Sequence, residues 1–160
     1  MPNHTPDFLP EGRCLCTLQP TRVGVNFSAT ALRELWGGRS VWSVLDFRKE
    51  EFLTILRETA GRISISGVQD KISLRLDRNK FVPTETRGDY ILKPVPLANY
   101  PMFTADIPAN EHVSRQLASQ VFGIKTAANG LVYFADNEPA YITRRFDRDE
   151  RGSPLGVVRK

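Results

Sequence analysis

The first sixty residues carry two runs of apolar positions at helical spacing. Ser28 precedes the first run and Gly37 follows it, so the sequence predicts a short helix with a serine N-cap and a glycine stop. Asp46 precedes the second run and is the predicted N-cap of a second helix, which continues to about Ala60 with aromatic and aliphatic residues on one side. The other side is charged, which is typical of the solvated face of a helix. These patterns predict a small, partly helical N-terminal part.

After Ile63 the apolar positions alternate with polar ones, which is the period of a strand with one buried face. Ile72, Leu74 and Leu76 share one face of the first such run. Turn residues and prolines separate it from the runs that follow. The sequence predicts strands at residues 72–76, 81–82, 89–93, 131–134 and 140–146. Tight turns between neighbouring runs favour antiparallel pairing.

One helix interrupts the predicted strands. Pro108 stands in its first turn and Gly123 ends it. Val113, Leu117 and Val121 recur at helical spacing and form an apolar stripe. We expect this helix to dock on the sheet through the stripe.

These elements predict an α+β fold with a mostly antiparallel sheet, a packed helix and a small helical N-terminal part. The predicted organisation is a flexible arm over residues 1–12, a mixed subdomain over 13–61, a larger subdomain over 62–155 and a tail over 156–160. The arm is assigned from its three prolines and few apolar residues.

Composition narrows the class of protein. The 160 residues carry a net charge of +4, which fits a nucleotide, an acidic partner or an ordinary soluble protein. We expect no membrane segment and no secretory signal, because no stretch is long and apolar enough. Cys14 and Cys16 form no disulfide framework, and His4 and His112 are too few to complete a zinc site with them. Reduced thiols in a cytoplasmic protein, without a metal site, are the prediction.

A short polar loop, residues 64–71, joins the helical part to the first strand. Gly67 at its centre allows close approach to a ligand, and backbone N–H groups beside Lys71 suit a phosphate. An ordinary hairpin turn that binds nothing is the alternative interpretation, since short loops with one glycine are common.

Two charged residues extend the candidate site. Lys93 shares a strand face with Ile91, so its ammonium group reaches either into a cleft or along the surface to water. Glu111 lies in the first turn of the helix, where a carboxylate favours the positive end of the helix dipole. It either caps the helix, pairs with Arg115, or forms an ion pair with Lys93.

Four motifs occur in a fixed order: SISGVQDKISL, GDYILKP, NEH and AYITRRFDRD. In this order they resemble the HipA/HipT family of bacterial serine/threonine kinase toxins, over residues 63–154. The resemblance covers only the part that corresponds to a kinase N-lobe, and it implies an N-lobe-like fold that binds ATP.

The resemblance also assigns roles to residues. Those it places at ATP are Ser66, Gly67, Val68, Gln69, Asp70, Lys71, Lys93, Arg144, Arg145, Phe146 and Asp147. Lys93 would contact the phosphates, Arg144 and Phe146 the adenine, and Asp147 the sugar side. The family often has an acidic residue where Arg144 stands, and a basic surface tail with one anchoring Phe is the alternative. Ser64 or Ser66 would be autophosphorylated, although serine is also simply a good loop residue.

Phosphoryl transfer needs groups that these motifs do not supply. It requires an aspartate near the acceptor hydroxyl and groups that hold Mg²⁺. In the family these lie in a C-terminal lobe, so we expect no catalytic residue here and no kinase activity from this chain alone. Mg²⁺ would be held mainly by that lobe, supplied by another chain.

The resemblance therefore predicts the ATP-binding and regulatory portion of a toxin–antitoxin kinase. Its partners would be a C-terminal lobe or cognate kinase chain and a HipB-like DNA-binding antitoxin. The alternative is a non-catalytic, antitoxin-like module that binds and neutralises such a kinase. Direct nucleic-acid binding rests only on the mild positive charge and is not expected.

Overall fold

The computed structural model describes residues 12–59, 71–84, 88–96 and 104–147. Within these ranges there are three α-helices, a short 3₁₀ turn at Thr104–Asp106 and five strands. The helices are α1 (Ala29–Glu34), α2 (Lys49–Thr59) and α3 (Ile107–Gln120). The strands are β1 (Ile72–Asp77), β2 (Lys80–Pro83), β3 (Tyr90–Pro94), β4 (Asn129–Tyr133) and β5 (Pro139–Arg144). The predicted tail and nearly all of the predicted arm lie outside the described residues.

The five strands form one antiparallel sheet in the order β2-β1-β3-β5-β4. Strand β3 is central, and its Leu92 pairs with Ile72 on one side and with Ile142 on the other. Helix α3 connects β3 to β4 and contacts β4 and β5. The α+β class and the mostly antiparallel sheet predicted from the sequence are confirmed. This connectivity also puts a helix directly after the third strand, as in the small lobe of protein kinases.

One face of the sheet is apolar and packs against residues 12–59, which we call the N-terminal segment. Trp36 is fully buried at the centre of that contact. Its ring lies 5.4 Å from the Phe27 ring, 5.2 Å from that of Phe81 and 5.5 Å from that of Tyr90, measured between centroids. The Tyr90 hydroxyl donates to the carbonyl of Leu35 at 3.1 Å. The N-terminal segment and the sheet therefore share one hydrophobic core.

The N-terminal segment also covers the edge of β4. Leu131 donates its backbone N–H to the carbonyl of Leu15 at 2.9 Å, and Tyr133 donates to that of Ser43 at 2.9 Å. Leu45 in turn donates to the Tyr133 carbonyl at 2.7 Å. These bonds satisfy backbone groups that an edge strand would otherwise expose.

The predicted helix caps have different outcomes. Ser28 is the N-cap of α1, and its hydroxyl accepts the N–H of Ala31 at 3.2 Å, as predicted. The prediction that Asp46 caps the second helix is wrong, because α2 begins at Lys49 and Asp46 instead pairs with Lys80. The side chain of Glu51 accepts the Arg48 N–H at 2.6 Å, which satisfies a donor at the true start of that helix.

The predicted orientation of α3 is also wrong. Val113, Leu117 and Val121 face outward and are 43%, 49% and 67% exposed. The helix instead turns Pro108 and His112 inward, and both are buried. The physical reason is that the sheet presents Lys93 and Asn129 to the helix, and its polar side forms hydrogen bonds with them that an apolar stripe cannot form.

Candidate functional site

Lys93 lies on the central strand, on the face of the sheet that carries α3. Its backbone neighbour across the sheet is Tyr141 on β5, and paired residues point to the same face. The Lys93 ammonium nitrogen lies 5.4 Å from the centroid of the Tyr141 ring, which is the distance of a cation–π contact. Strand β5 therefore contacts the Lys93 side chain through the Tyr141 ring.

Glu111 on α3 faces the same lysine. Its Oε1 accepts a hydrogen bond from Lys93 Nζ at 2.6 Å. The two side chains are only 24% and 20% exposed, for Lys93 and Glu111 respectively. Of the alternatives that the sequence left open for Glu111, the structure shows the ion pair with Lys93. A lysine on the third strand and a glutamate on the following helix are also the groups that form the ion pair of protein kinases.

A buried imidazole lies next to Glu111 in the sequence. His112 Nδ1 is 2.9 Å from Oδ1 of Asn129 on β4, and both side chains are buried. Asn129 uses its Nδ2 as a donor to the Ala127 carbonyl at 2.8 Å, so its Oδ1 is the acceptor and His112 Nδ1 carries the proton. Burial lowers the pKa of His112 below its ordinary value of 6.5. The ring is therefore neutral at pH 7.

The loop predicted to hold phosphates is only partly described. Ser64, Ser66, Gly67, Val68, Gln69 and Asp70 lie outside the described residues. Lys71 is described and is half-buried directly before β1. Because Ile72 at the start of β1 pairs with Leu92, the chain enters β1 beside Lys93. The C-terminal end of the predicted loop is thus next to the ion pair.

The residues predicted to face adenine follow the end of β5. Arg144 Nη1 donates to the Glu34 carbonyl at 3.2 Å, and its backbone N–H donates to the Ala128 carbonyl at 2.9 Å. Both of these donors are therefore used within the fold. The aromatic ring of Phe146 is free to contact a ligand, since the residue is 79% exposed.

Arg145 and Asp147 form a two-bond ion pair with each other. The Arg145 Nε and Nη2 atoms lie 2.9 Å and 2.6 Å from the two carboxylate oxygens of Asp147. The hydrogen bonds that Arg145 donates to Asp147 raise the pKa of Arg145 above its ordinary value. The pair joins the residues on either side of Phe146, just after the end of β5. The predicted ATP contacts of Arg144, Arg145, Phe146 and Asp147 stay predictions.

The cysteines lie away from the ion pair, in the N-terminal segment. Both are free and buried. Cys14 Sγ accepts the backbone N–H of Ser28 at 3.2 Å and of Thr17 at 3.5 Å. Hydrogen bonding from Cys16 and these donors lowers the pKa of Cys14 to about 4, and burial raises the pKa of Cys16. In the part of the chain that the structure describes, no three His, Cys, Asp or Glu side chains are grouped as metal ligands.

Sequence reasoning missed the residues that support the ion pair from the sheet. Tyr141 beneath Lys93 and Asn129 beneath His112 come from β5 and β4, and both contacts depend on strand register. The only usable signal was alternation along each strand, which gives a face but no partner.

The described residues also contain no helix that is both long and apolar enough to span a membrane.

Comparison with known proteins agrees with the motifs. The family model described as "HipA-like C-terminal domain" matches residues 63–159. A Haemophilus influenzae protein named "Putative kinase" is 35% identical over 149 residues, which cover 89% of this chain. This chain spans only 42% of that relative's length. The match over most of the chain, together with the motifs and the ion pair, shows that the chain belongs to the HipA-like, kinase-related family.

Proposed function

We propose that this chain is the ATP-binding and regulatory portion of a HipA/HipT-like serine/threonine protein kinase of a bacterial toxin–antitoxin system. The observation that carries the proposal is the 2.6 Å ion pair between Lys93 and Glu111. In protein kinases the corresponding pair holds the strand lysine toward the nucleotide phosphates, and nucleotide binding depends on it. Family membership supports the same role here.

The phosphate side of the site would be built around Lys93. Glu111 and the Tyr141 ring hold the ammonium group from two directions, which limits its rotamers before a ligand arrives. The start of β1 brings Lys71 beside Lys93, so a triphosphate bound there would meet two positive charges. The loop around Gly67 would supply backbone N–H groups to the same phosphates.

The base would lie at the end of β5. Phe146 offers an exposed aromatic face on which a purine can stack, and Asp147 lies one residue beyond it for a ribose hydroxyl. The Arg145–Asp147 pair joins the residues on either side of Phe146. We therefore place adenine against Phe146, with the triphosphate running toward Lys93.

Phosphoryl transfer would depend on a C-terminal lobe, either in a cognate kinase chain or in a longer protein. That lobe would supply the Mg²⁺ ligands and the base for the acceptor hydroxyl, so this chain alone would have no kinase activity. A HipB-like DNA-binding antitoxin would be a further partner, and the complex would act in the cytoplasm. Phosphorylation of Ser64 or Ser66 would place negative charge near the phosphate site and reduce ATP binding.

A second candidate function is a non-catalytic module that binds and neutralises a HipA-like kinase. One observation favours it: the apolar stripe of Val113, Leu117 and Val121 is exposed on α3. Exposed apolar surface of this kind often marks an interface with another protein. This function would require no nucleotide, so replacing Lys93 should not impair it.

Titration of the purified chain with MgATP in a calorimeter separates the two functions. Lys93→Met should weaken binding by about 10- to 100-fold, which is the value of one charge-assisted hydrogen bond to a phosphate. Lys80→Met removes the same charge from an exposed surface pair and should change affinity less than about 2-fold. Equal affinity of the Lys93→Met variant and the unmodified chain would reject the ATP site and favour the interaction module.

A further inference from the structure

One side of α3 carries three amide or imidazole side chains at intervals of four residues. Of these, His112 is buried, Gln116 is half-buried and Gln120 is exposed at the end of the helix. The outward face carries the apolar stripe instead. The polar side chains on the first side therefore connect the helix to the rest of the fold through directional hydrogen bonds.

Gln120 connects the end of α3 to the N-terminal segment. Its Nε2 donates to the Thr17 carbonyl at 2.7 Å, and its Oε1 accepts from Gln19 Nε2 at 2.7 Å. The same Nε2 also donates to Gln116 Oε1 at 2.7 Å. One side chain therefore makes three hydrogen bonds, two of which reach residues about a hundred positions away in the sequence.

Gln116 continues the connection to the sheet. Its Nε2 donates to Asn129 Oδ1 at 3.1 Å, and the same oxygen accepts the proton of His112 Nδ1 at 2.9 Å. An unbroken series of hydrogen bonds thus runs from Gln19 through Gln120 and Gln116 to Asn129 and His112. We call these five residues the amide network.

The network crosses from the N-terminal segment to α3 beside a surface pocket of about 120 Å³. The lining of this pocket includes Thr17, Gln116 and Asn129. Gln120 and Gln116 therefore link the two segments directly at the pocket through hydrogen bonds.

We propose that His112 and Gln120 are positioning residues for Glu111. His112 follows Glu111 directly and is fixed to Asn129 on the sheet, while Gln120 fixes the other end of the helix to the N-terminal segment. Together they set the rotation of α3, and that rotation determines whether Glu111 reaches Lys93. This inference rests on the proposed function, because it assigns the N-terminal segment control over the nucleotide site.

The test measures MgATP affinity of the full chain by calorimetry, in a cycle of Gln120→Leu and Glu111→Gln. Gln120→Leu removes all three hydrogen bonds of an exposed side chain and keeps its size, so the fold should survive. We expect the affinity for MgATP to fall by about 3- to 10-fold in the otherwise unmodified chain. This fold-change corresponds to the loss of one well-aligned hydrogen bond. In the Glu111→Gln background the same substitution should change affinity less than about 1.5-fold.

The control is Leu117→Gln, the reverse exchange on the outward face of the same helix. It should leave MgATP affinity within about 2-fold of the unmodified chain. His112→Phe is a second test variant, because it keeps the buried volume but removes the hydrogen bond to Asn129. It should weaken MgATP binding in the otherwise unmodified chain but not when Glu111 is already glutamine.

Two results would overturn the inference, and they differ in what else they affect. If Glu111→Gln weakens MgATP binding but Gln120→Leu acts equally in both backgrounds, or has no effect, Gln120 does not act through Glu111 and the proposed function stands. If Glu111→Gln binds MgATP as tightly as the unmodified chain, the role of the ion pair in nucleotide binding fails, and this inference fails with it.

Discussion

The ion pair between Lys93 and Glu111 should make a measurable contribution to the stability of the fold. We consider the substitutions Lys93→Met and Glu111→Gln, which remove each charge with little change in side-chain size. If the pair is as close in solution as in the structure, at 2.6 Å, the double variant should be more stable than the sum of the two single losses predicts. The difference is the coupling energy of the pair.

The expected magnitude follows from the burial of the two side chains. Exposed pairs give coupling energies of about 0.2–1 kcal/mol, and breaking a fully buried pair costs about 3–5 kcal/mol, part of which is the unpaired charge. Lys93 and Glu111 are 24% and 20% exposed, which lies between these limits. We therefore expect a coupling energy of about 1–2 kcal/mol at low ionic strength.

Urea unfolding followed by tryptophan fluorescence is a suitable assay, because Trp36 is fully buried in the core and its emission will report loss of that environment. The control cycle uses Lys80→Met and Asp46→Asn. That pair has a separation of 3.1 Å, and its side chains are 47% and 44% exposed. Its coupling energy should not exceed about 0.5 kcal/mol.

A coupling energy for Lys93 and Glu111 no larger than that of the Lys80–Asp46 control would contradict this expectation. It would mean that the two side chains are separately solvated in solution, and that Glu111 does not hold Lys93 toward a ligand. A coupling energy near zero at low salt would be the clearest form of this result, since screening could not then explain it.

Three further predictions concern the fold around the site. Gly130→Ala would place a Cβ 2.6 Å from Cys16 Sγ and 3.2 Å from the Leu15 carbonyl, so it should lower the free energy of unfolding by about 1–3 kcal/mol in urea unfolding. Burial lowers the pKa of His112, so the unfolded chain binds more protons than the folded chain below pH 6.5. The free energy of unfolding should therefore fall as the pH decreases from 6.5, by at most about 1.4 kcal/mol per pH unit. His112→Phe should remove this part of the pH dependence. Leu117→Gln should change stability by less than about 0.5 kcal/mol, whereas a loss above about 2 kcal/mol would place that side chain in the core.

Local signals in the sequence predicted several parts of the fold correctly. Ser28 was identified as an N-cap because its chemistry and the following apolar spacing are both local. Alternation likewise placed Ile72, Leu74 and Leu76 on one face of β1, and all three are buried. The ion pair was one of three alternatives for Glu111, since helical spacing could not distinguish a nearby cap or Arg115 from a lysine on a distant strand.

The errors came from interactions between distant segments. The apolar stripe of α3 suggested its buried face, but the sheet beneath the helix presents Lys93, Asn129 and Tyr141, and their partners are polar. Asp46 has the chemistry of an N-cap, yet it pairs with Lys80 from the β1–β2 hairpin. In both places a partner chosen by the tertiary fold outweighed a local preference.

The proposed function requires Lys93 to lie against the phosphates of a bound nucleotide. An acyl phosphate derivative of ATP probes this placement, because the reagent transfers its acyl group to a lysine amine beside the bound phosphates, and mass spectrometry identifies the modified residue. We predict that Lys93 is acylated, that excess ATP suppresses its labelling, and that labelling of the surface residues Lys80 and Lys125 is insensitive to ATP. Absence of label at Lys93 while the surface lysines react, or labelling of Lys93 that excess ATP does not reduce, would contradict the claim.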